Sequence, residues 1–433
     1  VRILAPQPNM KYLLDKLLSR SNNLDKVSYD LKVLTIKSPA NKIFQAINSY
    51  SELSEIRYVG GCVRKIINKE KIDDIDLATN LEPKDVCEAL KKDGINYYET
   101  GIEHGTVTAV IDDNKFEITS LREDISTDGR HAEVKFSKDW KKDASRRDFT
   151  INAIYSDREG NLFDPYNGKE DLEKGVVNFI GNPEKRIKED YLRILRYIRF
   201  FLNYSKKKHN PETVKYLKMN LDGISKLSKE RLLDELKKIL NPKILTNITK
   251  DKFCLEILET IFPQLKYFNI FSKLNTYSRN ILNEIDFIFI ISLLVIDQTD
   301  NLDYFLYKFN ISKKDQKKLK NIHEFYKEKI TSTTFSKDNL NRIFYYKGKE
   351  TVIDILNFRM LKSQKLDNNI IELIKFYKDM VKPNMPIKAD NLMVKYKISE
   401  GKVLGDKLKM IEEEWVKNNF QISDQQVENI VNN

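Results

Sequence analysis

The sequence predicts an α+β protein, a mixed α/β first part followed by an all-helical remainder, and three observations carry that reading. Glycine is unevenly placed, with ten of the 14 before residue 182. The same stretch holds short β-branched runs, Thr106 to Ile111 and Lys115 to Ser120, of the kind that form strands between turns. Beyond Gly181 apolar residues recur three or four apart, as in Tyr191, Leu192, Leu195, Ile198 and Phe201, which is helical periodicity.

At 433 residues the chain is longer than one core fills, since single cores stop growing near ~250–300 residues, so several packed units are expected. Residues 1–42 read as an N-terminal extension with a helical run around Tyr12 to Leu18, and residues 43–168 as the α/β part. Within the latter, Asp112, Asp113 and Asn114 separate the two runs named above, a turn cluster that predicts a β-hairpin. Asn241-Pro242 closes a first helical section, residues 169–242. A second section, residues 243–382, runs to the break at Pro383 and Pro386, which sets off residues 383–433. No internal repeat is present.

Lys and Arg outnumber Asp and Glu by 75 to 64, a formal charge of +11 that suits a polyanionic partner such as RNA, the plainer alternative being a merely soluble basic protein. Cys62, Cys87 and Cys254 form no CxxC pair and no zinc-type spacing, which fits a reducing cytoplasm. The longest apolar run, Phe287 to Ile296, is half of the ~20 residues that a membrane span needs and predicts a buried helix. Nothing at the N-terminus resembles a signal peptide.

The chemistry concentrates in the α/β part. Tyr58-Val59-Gly60-Gly61-Cys62-Val63-Arg64 is an apolar strand end running into a Gly-Gly turn and a helix start, where backbone N–H groups can face a phosphate unobstructed by a Cβ. Twelve residues separate Gly61 from Asp74-Ile75-Asp76, followed by Leu77-Ala78-Thr79. Strand alternation over that stretch puts both carboxylates on one face. Neighbouring carboxylates repel, and a fold tolerates them best where a hard divalent cation, Mg²⁺ above all, neutralises them. Two solvated Asp residues on an edge strand are the alternative.

Gly-Gly, this spacer and Asp-x-Asp together resemble the signature of the polymerase-beta-type nucleotidyltransferases. That resemblance implies a third carboxylate, for which Glu117 is the candidate, a surface Glu of the hairpin being the alternative. Arg146-Arg147-Asp148-Phe149-Thr150-Ile151-Asn152-Ala153 offers arginine for triphosphate oxygens and Asp for a ribose hydroxyl. The octet resembles a motif of the tRNA nucleotidyltransferase and bacterial poly(A) polymerase family, as do Asp164-Pro165-Tyr166-Asn167-Gly168 and Glu189-Asp190-Tyr191-Leu192-Arg193-Ile194-Leu195-Arg196-Tyr197-Ile198-Arg199-Phe200.

Asp190 and Arg193 are three apart, so a helix puts them on one face. Cytosine and adenine both present an exocyclic amino donor beside a ring-nitrogen acceptor, so a carboxylate beside a guanidinium pairs with either. Guanine and uracil set carbonyl against carboxylate and N–H against guanidinium, and each buried group left unpaired costs about 1–3 kcal/mol. Arg196 and Arg199 extend the stripe towards phosphates. An ordinary salt bridge on a solvated helix is the alternative.

The stretch Asp128-Gly129-Arg130-His131-Ala132-Glu133-Val134 is polar and expected to be mobile, and in the class II CCA-adding enzymes, which this chain resembles, a flexible loop there is associated with the switch from C to A addition. The resemblance covers residues 45 to 240 densely, ending at Ser228-Lys229-Glu230-Arg231-Leu232. It thins beyond, though Leu392-Met393 and Glu400 to Gly405 look like the family's C-terminal unit. Lys65 departs from the family, which usually has Asp after Gly-Gly-x-Val-Arg, leaving Arg64 as a triphosphate contact. No His-Asp doublet occurs among the four histidines, so the metal-dependent phosphohydrolase domain of some relatives is not expected.

The resemblance implies template-independent addition of CCA to tRNA from CTP and ATP, with Mg²⁺ as cofactor and pyrophosphate as product. It implies metal binding by Asp74 and Asp76, and nucleotide binding by Gly60, Gly61, Arg64, Arg147, Asp148, Asn152, Asp190, Arg193, Arg196 and Arg199. Residues 43–168 become a catalytic head, 169–242 a nucleotide-selecting neck, 243–382 a body and 383–433 a tRNA-binding tail, and Lys313, Lys314, Lys317, Lys318 and Lys320 a basic cluster for phosphates or a solvated face. A poly(A) polymerase or an enzyme adding only the terminal A is the runner-up.

Overall fold

A computed structural model describes residues 26–127, 132–327, 330–331 and 333–432, with backbone alone at residues 100, 124–127 and 132–134. The expected helix around Tyr12 to Leu18 and the tip of the polar stretch, Asp128 to His131, lie outside the described residues. The chain divides into two compact units, the first ending at Leu227 and the second beginning at Ser228.

The first unit is built on a sheet which, among the described residues, has seven strands in the order β3-β4-β5-β2-β1-β8-β9. These are β1 (Ile56–Val59), β2 (Asp76–Thr79), β3 (Asn96–Gly101), β4 (Thr106–Ile111), β5 (Asn114–Ser120), β8 (Tyr155–Ser156) and β9 (Leu162–Phe163). A separate antiparallel pair joins β6 (Arg122–Thr127) to β7 (Ala132–Phe136). The expected hairpin is present: β4 and β5 pair antiparallel through Asp112 and Asp113, whose φ values of 47° and 62° match the paired left-handed conformations that suit the right-handed twist of a two-residue turn.

Alternation along these strands separates two faces. Val107, Ala109, Ile111, Phe116, Ile118 and Leu77 are buried on one, against α2 (Ala40–Asn48) and α4 (Pro83–Lys92), in the main core of the unit. The helix α1, described over residues 26–37, adds Leu31 to that core and a Thr35 to Tyr58 hydroxyl bond of 3.0 Å, so this part of the expected extension is a packed element. The opposite face carries a smaller cluster, Val59, Ala78, Trp140, Ala144, Ala153 and Tyr155. Glu117, one residue out of phase with Phe116 and Ile118, is exposed there.

Connections position the chemistry. Gly60, at φ 66° and ψ −112°, ends β1 and starts α3 (Gly61–Ile67). After β7 come α5 (Trp140–Arg146), capped by the Asp139 carboxylate on two N–H groups, and a 3₁₀ turn at Thr150–Asn152. Helices α6 (Gly168–Lys174), α7 (Pro183–Glu189), α8 (Leu192–Tyr204) and α9 (Pro211–Met219) complete the unit. Phe149 packs on Phe179 and Phe200 at ring-centroid distances of 4.7 and 5.3 Å, tying α8 to the segment after α5, and such aromatic pairs contribute about 0.5–1.5 kcal/mol each beyond area.

The expected continuous helix through residue 190 is corrected. Asp190 has φ −154° and ψ 107°, so α7 stops at Glu189 and α8 restarts at Leu192, with the Asp190 carboxylate accepting from the Leu192 N–H at 3.1 Å. Asp190 and Arg193 are therefore not neighbours on one helical face. The reason is local: the short polar side chain satisfies a helix-start N–H and competes with helix continuation. Strand alternation for the two carboxylates needs a matching correction, because β2 begins at Asp76 and Asp74 lies in the loop before it.

The second unit is helical throughout the described residues. The apolar run forms the helix Phe287–Val295, buried as expected from Phe289 onward. Ser228 caps the helix Lys229–Ile239, and Asn241 with Pro242 ends that element and starts the next. After the Pro383 and Pro386 break, the helices Ala389–Tyr396, Lys402–Lys417 and Asp424–Asn432 share a small core of Leu392, Leu404, Ile411 and Val427. The lysine cluster loses one member: Lys318 is half-buried and ion-paired to Asp286 at 2.8 Å and Asp354 at 3.3 Å, while Lys313, Lys314, Lys317 and Lys320 are exposed. Among the described residues no helix is long and apolar enough to cross a membrane.

Candidate active site

A cavity of about 400 Å³ in the first unit is lined by Gly60, Gly61, Arg64, Asp76, Arg147, Asp148, Asn152, Asp190, Arg193, Arg196, Arg199 and Phe200. Every residue that the sequence suggested for nucleotide binding is among them. Five guanidiniums face three carboxylates, a balance suited to a polyphosphate.

The Gly-Gly turn opens one wall. A side chain at Gly60 would be strained by its backbone, since φ 66° with ψ −112° lies outside the regions that L residues ordinarily adopt. A Cβ on Gly61 would sit 3.6 Å from the Asp76 carboxylate, inside the space a ligand would use. Arg64, on the first turns of α3, is buried, hydrogen-bonded to the Asn152 side-chain oxygen, and stacked 4.8 Å above Phe200.

Asp76 and Glu117 stand in register on the parallel strands β2 and β5, so their side chains project from the same face. Asp74 does not line the cavity, nor does Glu117, but both act on Asp76. Burial, then the Glu117 and Asp74 charges, push the Asp76 carboxyl up, against the pull of Arg147 and Arg64. Three hard oxygen donors of like charge, one of them half-buried, are what a divalent cation relieves. Asp76 is the one of the three that lines the cavity, and among the described residues the oxygens of Asp74, Asp76 and Glu117 do not all lie within 4.8 Å of one another. Lys65, where acid was expected, bonds Asp73 at 2.8 Å and so braces the loop that carries Asp74.

Arg147 is held from behind. Its guanidinium donates to Asp143 at 3.2 and 3.3 Å and to the Tyr155 hydroxyl at 2.9 Å, and that hydroxyl donates to Asp143 at 2.7 Å. Asp143 also receives Arg146 at 2.8 Å. Burial works to raise the Asp143 carboxyl, but Arg147, Arg146 and Tyr155 outweigh it and hold it at about 2. Asp148 is likewise buried and lies well below the usual carboxylate range, because Arg196 at 2.6 Å, the Asn152 amide at 2.8 Å and the Phe149 N–H overcome the cost of burial.

On the opposite wall Arg193 donates to Glu189 and to the Arg186 carbonyl, both at 2.7 Å, and Arg199 stacks 4.2 Å from Phe200. Asp190 and Arg193 thus meet the same cavity through a helix break and a bracing Glu. Asp143, Tyr155, Arg186 and the role of Glu189 were missed. Asp143 carried a signal in its i, i+4 spacing to Arg147 behind a capping Asp139, as did Glu189 in its i, i+4 spacing to Arg193, whereas Tyr155 carried none.

Residues 56–178 match a family model described as Poly A polymerase head domain. The chain is 48% identical over 192 residues to the human mitochondrial CCA tRNA nucleotidyltransferase 1, a match that covers 44% of this chain and 44% of the human one, less than half of either. It is 30% identical over 321 residues to a CCA-adding enzyme of Staphylococcus haemolyticus, covering 73% of this chain and 75% of that protein. Its fold resembles the crystal structure of the Bacillus stearothermophilus CCA-adding enzyme in complex with CTP, with a TM-score of 0.66, 19% identity, and coverage of 92% of this chain and 98% of that one.

Proposed function

Because the chain belongs to the class II CCA-adding enzyme family of nucleotidyltransferases, we propose that it adds C, C and A in turn to the 3′ end of tRNA from CTP and ATP, releasing pyrophosphate and using no nucleic-acid template. The observation that carries this reading is the single cavity where the Asp76 carboxylate, an arginine cluster and the pair Asp190 and Arg193 meet.

The nucleotidyltransferase fold implies use of a divalent metal, and we assign Mg²⁺ to Asp74 and Asp76 with Glu117 as the third carboxylate. When bound, such ions lower the pKa of the attacking 3′-hydroxyl and neutralise charge on the departing pyrophosphate. The protein's own groups supply the remainder. Arg64, Arg147, Arg196 and Arg199 hold the triphosphate, with the Gly60-Gly61 turn giving its oxygens close approach to the backbone. Asp148 with Asn152 faces the sugar. Asp190 accepts the exocyclic amino group of cytosine or adenine while Arg193 donates to the neighbouring ring nitrogen.

Residues 43–168 act as catalytic head, 169–242 as neck, 243–382 as body and 383–433 as tail, the helical sections carrying the tRNA. A reducing compartment suits the three free, buried cysteines, with cytoplasm the sequence-based assignment and mitochondria the alternative that the human relative's name raises. Poly(A) synthesis or A-only addition is not favoured, since the relative matched over 75% of its length is a CCA-adding enzyme. Three substrates test the reading: tRNA lacking CCA, tRNA ending in CC, and an unstructured RNA, each incubated with CTP, with ATP and with both together, and sequenced at the 3′ end. Addition of C, C and A followed by arrest is expected on the first. Extended A tracts on the unstructured RNA would refute it.

A further inference from the structure

The cavity is served by two segments some forty residues apart in the chain, and one side chain outside it grips both. Arg186, on the last turn of α7, donates from Nη2 to the backbone carbonyls of Arg146 and Arg147, the latter at 2.7 Å, and from Nη1 to Oε2 of Glu189. That same Glu189 oxygen receives Arg193, whose Nη1 also donates to the Arg186 carbonyl at 2.7 Å. The side chain is only 12% exposed.

The carbonyls that Arg186 reaches stand where α5 ends and the backbone turns extended, at φ −67° and ψ 159° for Arg147. Helix ends leave such carbonyls without N–H partners, and a cation there is favourable. The guanidinium fork can bind carbonyls with one nitrogen and a carboxylate with the other, a geometry that an ammonium does not reproduce.

We propose that Arg186 is a positioning residue that couples the triphosphate-binding and base-selecting sides of the cavity. It fixes the backbone that aims Arg147 relative to the carboxylate that aims Arg193. The bound base and the bound triphosphate are then held at one mutual distance, so a base that fails to pair also misplaces its phosphates. This rests on the nucleotide reading of the cavity given above.

The test uses the full chain with Arg186→Met, which keeps the aliphatic bulk, and Arg186→Lys. Steady-state addition to tRNA transcripts lacking CCA, or lacking only A, is measured with CTP, ATP and UTP, alongside equilibrium binding of CTP and UTP without tRNA. For Arg186→Met the preference for CTP over UTP in kcat/KM is expected to fall about tenfold, the equivalent of ~1.4 kcal/mol, with KM for CTP and ATP rising together. Binding preference should fall in parallel and tRNA affinity hold, with Tm lowered by the lost buried contacts, and Arg186→Lys should lie between. A folded Arg186→Met protein with wild-type discrimination overturns the proposal. Should that variant not fold, wild-type discrimination in Arg186→Lys does so. If the wild-type chain adds nothing to tRNA, the proposed function fails, and the CTP and UTP binding series still decides the role of Arg186.

Discussion

Asp143 is the clearest case of a side chain whose burial is tolerated only because of what surrounds it. Two arginines and a tyrosine hydroxyl satisfy its carboxylate, and breaking such a buried group by removing one partner typically costs about 3–5 kcal/mol. Asp143→Ala should therefore lower denaturant stability by that order and also slow nucleotide addition, since Arg147 loses its brace. The pH dependence has a definite sign. The folded carboxyl sits at about 2, below its ordinary 3.8, so its contribution is present above pH ~3.8 and is lost as pH falls through about 2. Urea titrations from pH 5 to 2 should show an acid limb that Asp143→Asn flattens by about 2 kcal/mol. At the carboxylate pair, Asp74→Ala is expected to abolish incorporation while leaving tRNA binding nearly intact, as read by gel shift and primer extension. Retained activity would remove Asp74 from the metal assignment.

Two short elements aim these side chains. The turn from β1 to α3 depends on Gly60 at φ 66° and ψ −112°, where a Cβ costs about 1–3 kcal/mol. Gly60→Ala should misplace the start of α3, dropping kcat/KM by tenfold or more while Tm falls by only a few degrees. The break between α7 and α8 gives Asp190 two duties, one towards the Leu192 N–H and one towards the cavity. Asp190→Ala removes both, so discrimination against UTP should relax and about 1 kcal/mol of helix-start stability should go. Asp190→Asn keeps an acceptor for the N–H, and is expected to restore Tm without restoring selectivity. Unchanged rejection of UTP in both variants would exclude Asp190 as the base-reading group.

For the whole molecule, the charge of +11 predicts that the proposed binding of tRNA is salt-sensitive. The logarithm of the tRNA binding constant should fall linearly with log salt, at a slope of roughly 0.7–0.9 per phosphate neutralised, whereas selectivity between CTP and UTP should hardly move. Exposed Lys313, Lys314, Lys317 and Lys320 are the residues whose neutralisation should flatten that slope, and Lys318, already paired within its unit, should not. The α+β class, the β4 to β5 hairpin, the buried helix at Phe287–Val295 and the presence of Asp76, Asp148 and Asp190 at one cavity were legible in the sequence, because periodicity, turn residues and short motifs are local properties of the chain. Local reading failed where partners come from a distance. The start of β2 at Asp76, the pairing of Lys318 and the grip of Arg186 on the Arg146 and Arg147 carbonyls depend on groups that only folding brings within hydrogen-bond reach. The sequence by itself determined which charged and glycine residues were available for the cavity. The tertiary structure decided which of them face it and which hold the others still, since a buried charge keeps its place only through partners that no linear spacing specifies.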